Sequence, residues 1–330
     1  MLKIILSRTD SIGDVILSLP MAGYIKEKYP DAYIFFLGKT YTKSVVSQCE
    51  HIDEFLNWDI ISKDKNALSV FKKIQADYII HVFPNKYIAK LAYLAKIPNR
   101  VGTLGRLPHL LNCNKRIYFT RKNSNLHEAQ LNLKLLKPLG INAHKSLEDI
   151  IQHLGWKLPQ TLDSKWSLLL HPLKKNIVLH PQSQGSAIEW GLNNFRDLIN
   201  KLPPEEFEIF ITGTQKEKEL IGDALPLGKS NVHSLLGGMT LEELISFIGH
   251  TDSIVAASTG PLHIGAAFGV QAIGLFSNRR PIHPGRWKPL GSKSTFMVFD
   301  ENCKSCMKGE KCLCIKDIKV SDIVSLLRGK

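Results

Sequence analysis

The chain has no apolar run approaching the roughly 20 residues needed to span a bilayer; its longer ones, such as IVAAS and LAYLA, are short. That argues against a membrane-crossing helix. Its first residues, MLKIILSRTDSIGDV, turn polar at once and lack the long apolar region and cleavage site of a signal peptide, so a cytoplasmic protein is expected. The dinucleotide fingerprint G-x-G-x-x-G and the phosphate loop ending in Gly-Lys-Ser/Thr are both missing, which argues against an ordinary NAD enzyme or P-loop NTPase. No low-complexity tract or short repeat is visible.

Acidic residues are missing from two long stretches. Between Asp77 and Glu128 there is none, while Lys86, Lys90, Lys96, Arg100, Arg106, Lys115, Arg116, Arg121 and Lys122 fall inside. A second acid-free stretch, from Ser253 to Phe299, holds Arg279, Arg280, Arg286, Lys288 and Lys293. With a formal charge of +13, this distribution implies two separate anionic ligands. Arg100, Arg106, Arg121 and Lys122, with Gly13, are the candidate acceptor-binding residues of the first half. The basic residues lack an aromatic single-strand platform, and no helix-turn-helix or RRM signature is present, so nucleic acid is not the expected partner.

What is present is core-forming material: 44% hydrophobic and 22% charged residues over 330 positions, enough for two domains. KIILS, the helix-spaced SLPMAGYIKEKYP and AYIFFLG read as β-α-β. DEFLNWD, NALSVFKKIQ, DYIIHVF and YIAKLAYLAKI continue the alternation, and His127 to Leu139 reads as the last helix of the first domain. Weak periodicity and scattered prolines from about Asn142 to Asn176 place a linker there, with the boundary drawn after residue 155. NIVLH then restarts the pattern, through FEIFITG, DSIVAAS and QAIGLF with helices between. Each half is expected to be a doubly wound α/β domain with its ligand beyond the carboxyl ends of the strands.

The motifs lie at those ends. Gly13 permits a tight turn and Asp14 opens a helix, where a carboxylate more often caps backbone N–H groups than acts as a base. After DSIVAAS, the run Ser258, Thr259, Gly260, Pro261, Leu262, His263 sets a glycine and a proline at a helix start, an arrangement suited to phosphate. His263 can donate to a phosphate or serve packing. Glu217, after FEIFITG, could accept from ribose hydroxyls or be a solvated surface residue. The loop PQSQGSAIEW, with Ser183, could wrap a sugar or phosphate or be an ordinary turn.

The order and spacing of RTDSIGDVILSLP, IPNRVG, HEAQLNLKLLKPLG, LHPQSQGSAIEW, TGTQKEKEL, LGGMTLEELISFI, ASTGPLHIGAAFGV and PGRWKPLG resemble glycosyltransferase family 9, the lipopolysaccharide heptosyltransferases. The resemblance covers nearly the whole chain. It implies a GT-B fold, two Rossmann-like domains facing across a cleft, with acceptor held mainly by the first and nucleotide-sugar, usually ADP-heptose, by the second. It implies Asp14 as general base of an inverting transfer, Thr259, Gly260 and His263 as the diphosphate turn, and Glu217 near the donor ribose. No cofactor or metal is implied. The partners would be the nucleotide-sugar, an anionic lipopolysaccharide precursor and the inner face of the cytoplasmic membrane.

Two positions depart from that family's usual pattern: Ile188 replaces a lysine and Ser258 an aspartate. Either Arg279, Arg280 or Arg286 supplies the missing cation, or the donor differs from ADP-heptose. A sugar-nucleotide epimerase and a non-catalytic binder on the same fold are the alternative readings. Cys49 and Cys113 are isolated and read as reduced thiols; Cys303, Cys306, Cys312 and Cys314, spaced C-x2-C-x5-C-x-C, could bind zinc, although the second pair departs from zinc-ribbon spacing.

Overall fold

The computed structural model describes residues 1–121, 124–157, 161–310 and 312–329. The chain divides into two compact units, Met1–Lys157 and Leu158–Lys330. The stretch expected to begin the linker belongs to the first unit. Ser146 caps the helix Leu147–Gln152 by accepting from Asp149 N, and an antiparallel bridge joins Trp156 to Cys49.

Among the described residues, the first unit holds β1 (Lys3–Ser7), β2 (Tyr33–Gly38), β3 (Glu54–Asn57), β4 (Tyr78–His81), β5 (Asn99–Thr103) and β6 (Lys115–Ile117). They form one sheet in the order β3-β2-β1-β4-β5-β6, with every pairing parallel. The second unit repeats the plan with β7 (Lys175–His180), β8 (Phe207–Ile211), β9 (Val232–Ser234), β10 (Ser253–Ala257), β11 (Gln271–Phe276) and β12 (Ser294–Val298), ordered β12-β11-β10-β7-β8-β9. Each is the Rossmann order, so chain direction reverses between β1 and β4 and between β7 and β10, where a ligand crevice opens at the strands' carboxyl ends.

The central strands read as unbroken apolar runs because helices cover both faces. Ile4, Ile5 and Leu6 of β1, and Ile177, Val178 and Leu179 of β7, are buried to 1% exposure or less. On one face of the first sheet, Ile5, Phe35 and Ile79 pack with Phe71 and Ile88; in the second unit Leu179, Ile211 and Val255 pack with Trp190, Phe195 and Ile323. Covering helices approach closely where small residues allow it. A Cβ on Gly23 would lie 2.2 Å from the His153 carbonyl oxygen, beside the stacked Tyr24–His153 pair.

The helix expected at Asp14 and the helix-spaced run 18–30 are separate elements, Ile12–Ile16 and Pro20–Lys28, Pro20 having no N–H to continue the first. The helix from His127 becomes α over Glu128–Leu133 and 3-10 over Lys134–Leu139, the interior Pro138 removing an α-type donor. IPNRVG, given no element in the alternation of strands and helices, carries most of β5, whose Val101 is fully buried between β4 and β6.

Candidate active site

In the first unit the chain leaves β1 at the switch point and turns through Arg8 to Ser11 into the helix Ile12–Ile16. Arg8 is 3% exposed, and its guanidinium organises the turn. Nε donates to Asp10 Oδ1 at 2.7 Å, Nη1 to Glu128 Oε1 and Asn132 Oδ1 at 3.2 Å each, and Nη2 to Asp14 Oδ1. Ser11 Oγ donates to the other Asp14 oxygen. Burial opposes the charge on Arg8, but Asp14, Asp10 and Glu128 outweigh it and raise the guanidinium further above its ordinary range. Burial, reinforced by Asp14 and opposed by Arg8, pushes Asp10 up to about 6.

Asp14 therefore does not act as the helix cap. The N-cap is Ser11, which makes no side-chain capping bond, and the Asp14 carboxylate is aimed by Arg8 and Ser11 instead. It is 18% exposed while its partner Arg8 is buried, so an oriented carboxylate stands at the rim of the β1–β4 crevice. Gly13 is buried in the same helix, as part of the backbone turn.

The four cations assigned to an acceptor separate into different roles. Arg121 Nε donates to Glu128 Oε1 at 3.0 Å and Nη2 to Asn132 Oδ1 at 3.1 Å, which makes it part of the Arg8 network. Arg100 donates from Nε to Asn112 O at 2.8 Å and from Nη1 to Ile97 O, tying down the backbone around β5. Arg106 stands exposed at the N-cap of the helix Leu107–Asn112. Lys122 lies outside the described residues. A cavity of about 720 Å³, lined by Arg116, Tyr118, Lys134, Lys137 and His144, sits along the edge strand β6 and includes no member of the Arg8 network.

In the second unit the loops after β7, β10 and β11 meet. A cavity of about 110 Å³ is lined by Gly185, Ile188, Ser258, Ser277 and Arg279, among others. Both departures from the expected pattern, Ile188 and Ser258, thus line the same small cavity as an arginine. Ser183 is held by Glu189, whose Oε1 accepts from Ser183 N at 2.8 Å and Oγ at 2.9 Å; Gln184 and Gly185 then adopt positive φ of 49° and 81°. Thr259 forms the N-cap of the helix Gly260–Ala267 without a side-chain capping bond. Its buried Oγ1 has no hydrogen-bond partner among the described residues, an arrangement that suits an arriving acceptor. His263, 2% exposed, lies in the same helix's first turns.

Glu217 is not on a solvated face. It is 2% exposed and closes a capping box with Thr214, its Oε2 accepting from Thr214 N at 2.6 Å and Oγ1 at 3.0 Å. Nearby His180 donates to or accepts from Thr212 Oγ1 at 3.1 Å, and burial lowers its pKa, against the pull of Glu217.

The sequence reading assigned no role to Arg8, Glu128, Asn132 or Glu189. Glu128 carried a signal: it is the first acid after the long acid-free stretch, and it is fully buried against two arginines from that motif and stretch.

Two Rossmann-ordered sheets in one chain, each with polar loops at its switch point, define a two-domain α/β protein of the GT-B class. Solved structures with that fold include E. coli ADP-heptose lipopolysaccharide heptosyltransferase II, with TM-score 0.76, 18% identity and coverage of 100% of this chain and 98% of that one. The glycosyl transferase family 9 protein of Veillonella parvula has TM-score 0.79 and 18% identity, covering 99% and 98%. Lipooligosaccharide heptosyltransferase 2 of Campylobacter jejuni is 26% identical over 341 residues, covering 98% of this chain and 96% of that protein. Residues 69–315 match the sequence model of Glycosyltransferase family 9 (heptosyltransferase). The chain belongs to glycosyltransferase family 9 and is a glycosyltransferase.

Proposed function

We propose that the enzyme transfers heptose from ADP-heptose to an anionic lipopolysaccharide-core acceptor, with inversion at the anomeric carbon and no metal ion at the reacting centre. The observation that carries this reading is the part-exposed Asp14 carboxylate, oriented by buried Arg8 at the end of β1. Asp14 takes the proton as the acceptor oxygen bonds to the anomeric carbon; the carbon–oxygen bond to the diphosphate breaks and ADP departs with its electron pair. Thr259 and the N–H groups opening the helix Gly260–Ala267 stabilise the charge that develops on the diphosphate, and Arg279 holds the diphosphate of the bound donor. Ser183 and Ser258 complete the donor loops; His263 lies close by in the sequence, and Glu217 shapes the turn that faces the ribose.

The names of the related proteins support both substrates: an ADP-heptose lipopolysaccharide heptosyltransferase and a lipooligosaccharide heptosyltransferase. No helix among the described residues is long and apolar enough to cross a membrane. The exposed cations of the acid-free stretch, such as Arg106, are assigned to the acceptor's anionic groups and to the inner face of the cytoplasmic membrane.

Ile188 and Ser258 in the donor cavity favour a second reading, a different nucleotide-sugar on the same machinery. Melting curves with ADP-heptose, other ADP-sugars and UDP-sugars separate the two. A donor at 100 times its Kd stabilises by roughly 2.7 kcal/mol. ADP-heptose is expected to give the largest shift; a larger shift from another nucleotide-sugar would transfer the assignment to that donor, and no shift from any would sink the donor site.

A further inference from the structure

The last part of the second unit holds a group that the transfer reaction does not use. Cys303, Cys306, Cys312 and Cys314 bring their sulfurs within 4.8 Å of one another, with Cys303–Cys312 at 3.6 Å and Cys306–Cys314 at 3.4 Å. Four thiolates around one zinc at about 2.3 Å lie about 3.8 Å apart, so the observed spread brackets a tetrahedral site. The local chain is shaped to make it. Cys303 is the N-cap of the short helix Lys304–Met307, which brings Cys306 round one turn; Gly309, at φ 76°, reverses the chain, and Cys314 opens the 3-10 turn Cys314–Asp317.

Little apolar packing holds this knuckle together before the core resumes at Ile315. Among the described residues from 299 to 314, Cys306 alone is buried, while Met307 and Leu313 are 53% and 52% exposed. Ordering each residue costs about 1–2 kcal/mol in backbone entropy. A segment with so little core needs a cross-link, as small metal-bound modules do. Two disulfides would serve that purpose pairwise, but pairing does not require all four sulfurs to converge on one point. Lys304 and Lys308 on the knuckle, with the Arg279 guanidinium bonded to it, outnumber Glu310 and offset part of the double negative charge of a divalent ion held by four thiolates.

We propose that these four cysteines bind one thiophilic tetrahedral metal ion, zinc, and that the ion fixes the knuckle against which Arg279 is positioned. The connection is direct. Arg279 Nε donates to Gly309 O at 3.1 Å, Arg280 N donates to Cys306 O at 3.4 Å, and Gly309 N donates to the same carbonyl at 2.9 Å. Arg279 lines the small cavity beside Ile188, where the family's usual lysine is replaced. The metal site stands on the cysteine geometry; the positioning role rests on the donor-site reading above.

Elemental analysis of the full-length protein, purified under reducing conditions without a polyhistidine tag, tests the site directly. One zinc per chain is expected, released as an organomercurial caps the four thiolates. Stoichiometric iron, with thiolate charge-transfer absorption in the visible, would support the four-thiolate site and make the ion iron. Metal-free protein with six titratable thiols, or mass-spectrometric evidence of two disulfides among these cysteines, would overturn it. Cys314→Ser should lose the metal and lower the melting temperature; if it does not fold, the organomercurial-treated wild type supplies the comparison. For the positioning role, Cys314→Ser and Arg279→Ala should each raise donor KM by about fivefold to tenfold with little change in kcat, and the double variant should be no worse than either. Metal loss with unchanged donor KM would remove the positioning role and leave the site. Wild-type protein that binds metal but no nucleotide-sugar would instead refute the donor reading alone.

Discussion

Arg8 and Arg121 donate to the same oxygen of Glu128, at 3.2 and 3.0 Å, and to the same oxygen of Asn132. The basic stretch before Glu128 is thereby bound to the turn that carries Asp14. Asn132 Nδ2 in turn donates to Leu17 O at 3.1 Å, so one buried network anchors the helix Ile12–Ile16 from both ends.

Glu128→Leu leaves both guanidinium groups without that carboxylate, and removing one partner of a buried ion pair typically costs about 3–5 kcal/mol. Urea unfolding of the variant should show a loss of that order. A change below about 1 kcal/mol would mean that Asp10, Asp14 and Asn132 suffice to hold Arg8.

Asp14→Asn keeps the side chain's size but removes the base. Turnover should fall by about 10²–10⁴ while donor KM stays nearly constant. Loss of the charged bond to Arg8 should cost about 1.5–3 kcal/mol of stability without unfolding the protein. A folded variant with wild-type turnover would move the base elsewhere, with Asp10 the next candidate.

Thr259→Val replaces a buried hydroxyl that lacks a hydrogen-bond partner with a methyl group. In the absence of ligand the variant should melt at or above the wild-type temperature, because an unsatisfied polar group has been removed. ADP should bind about fivefold to tenfold more weakly, the loss of about one hydrogen bond. Unchanged ADP affinity in a titration would show that Thr259 does not touch the diphosphate.

His81 and His109 make stability sensitive to acid. Burial pushes them down to about 3 and 4, whereas in the unfolded chain each titrates near 6.5. Between about pH 4 and 6.5 the unfolded state binds more protons, so stability falls as pH falls, by up to about 1.4 kcal/mol per pH unit for each histidine. Asp10, at about 6 when folded against about 3.9 unfolded, works in the opposite direction across much of that range. For these three groups the histidines outweigh it. His81→Phe removes a ring whose two nitrogens have no hydrogen-bond partner among the described residues and should flatten the urea-stability slope by roughly 1.4 kcal/mol per pH unit near pH 5. An unchanged slope would rule out His81 as a source of the acid sensitivity.

The apolar strands with both faces covered were legible in the sequence, since KIILS, NIVLH and DSIVAAS are short apolar runs with β-branched residues, bounded by polar and turn residues. The polar strand β5 and the edge strand β12 were not. β5 carries Asn, Arg and Gly, and it becomes a strand because β4 and β6 offer it partners on both sides. β12 is only half-buried throughout and shows neither alternation nor a continuous core.

The local motifs determined where chemistry could occur: a glycine and a carboxylate after β1, a glycine and a proline after β10, and four cysteines near the end of the chain. Only the tertiary structure decided what each residue does, because the deciding partners are remote in sequence. Glu128 reaches Arg8, which aims the Asp14 carboxylate, while backbone carbonyls around β5 take up Arg100. Gly309 holds Arg279 beside Ile188, whereas Glu217 is held by Thr214 only three residues away, in a Thr-x-x-Glu capping box. Residue type and spacing set a side chain's capacity for charge and hydrogen bonding; folding sets how much of that capacity is already satisfied and how much remains for a substrate.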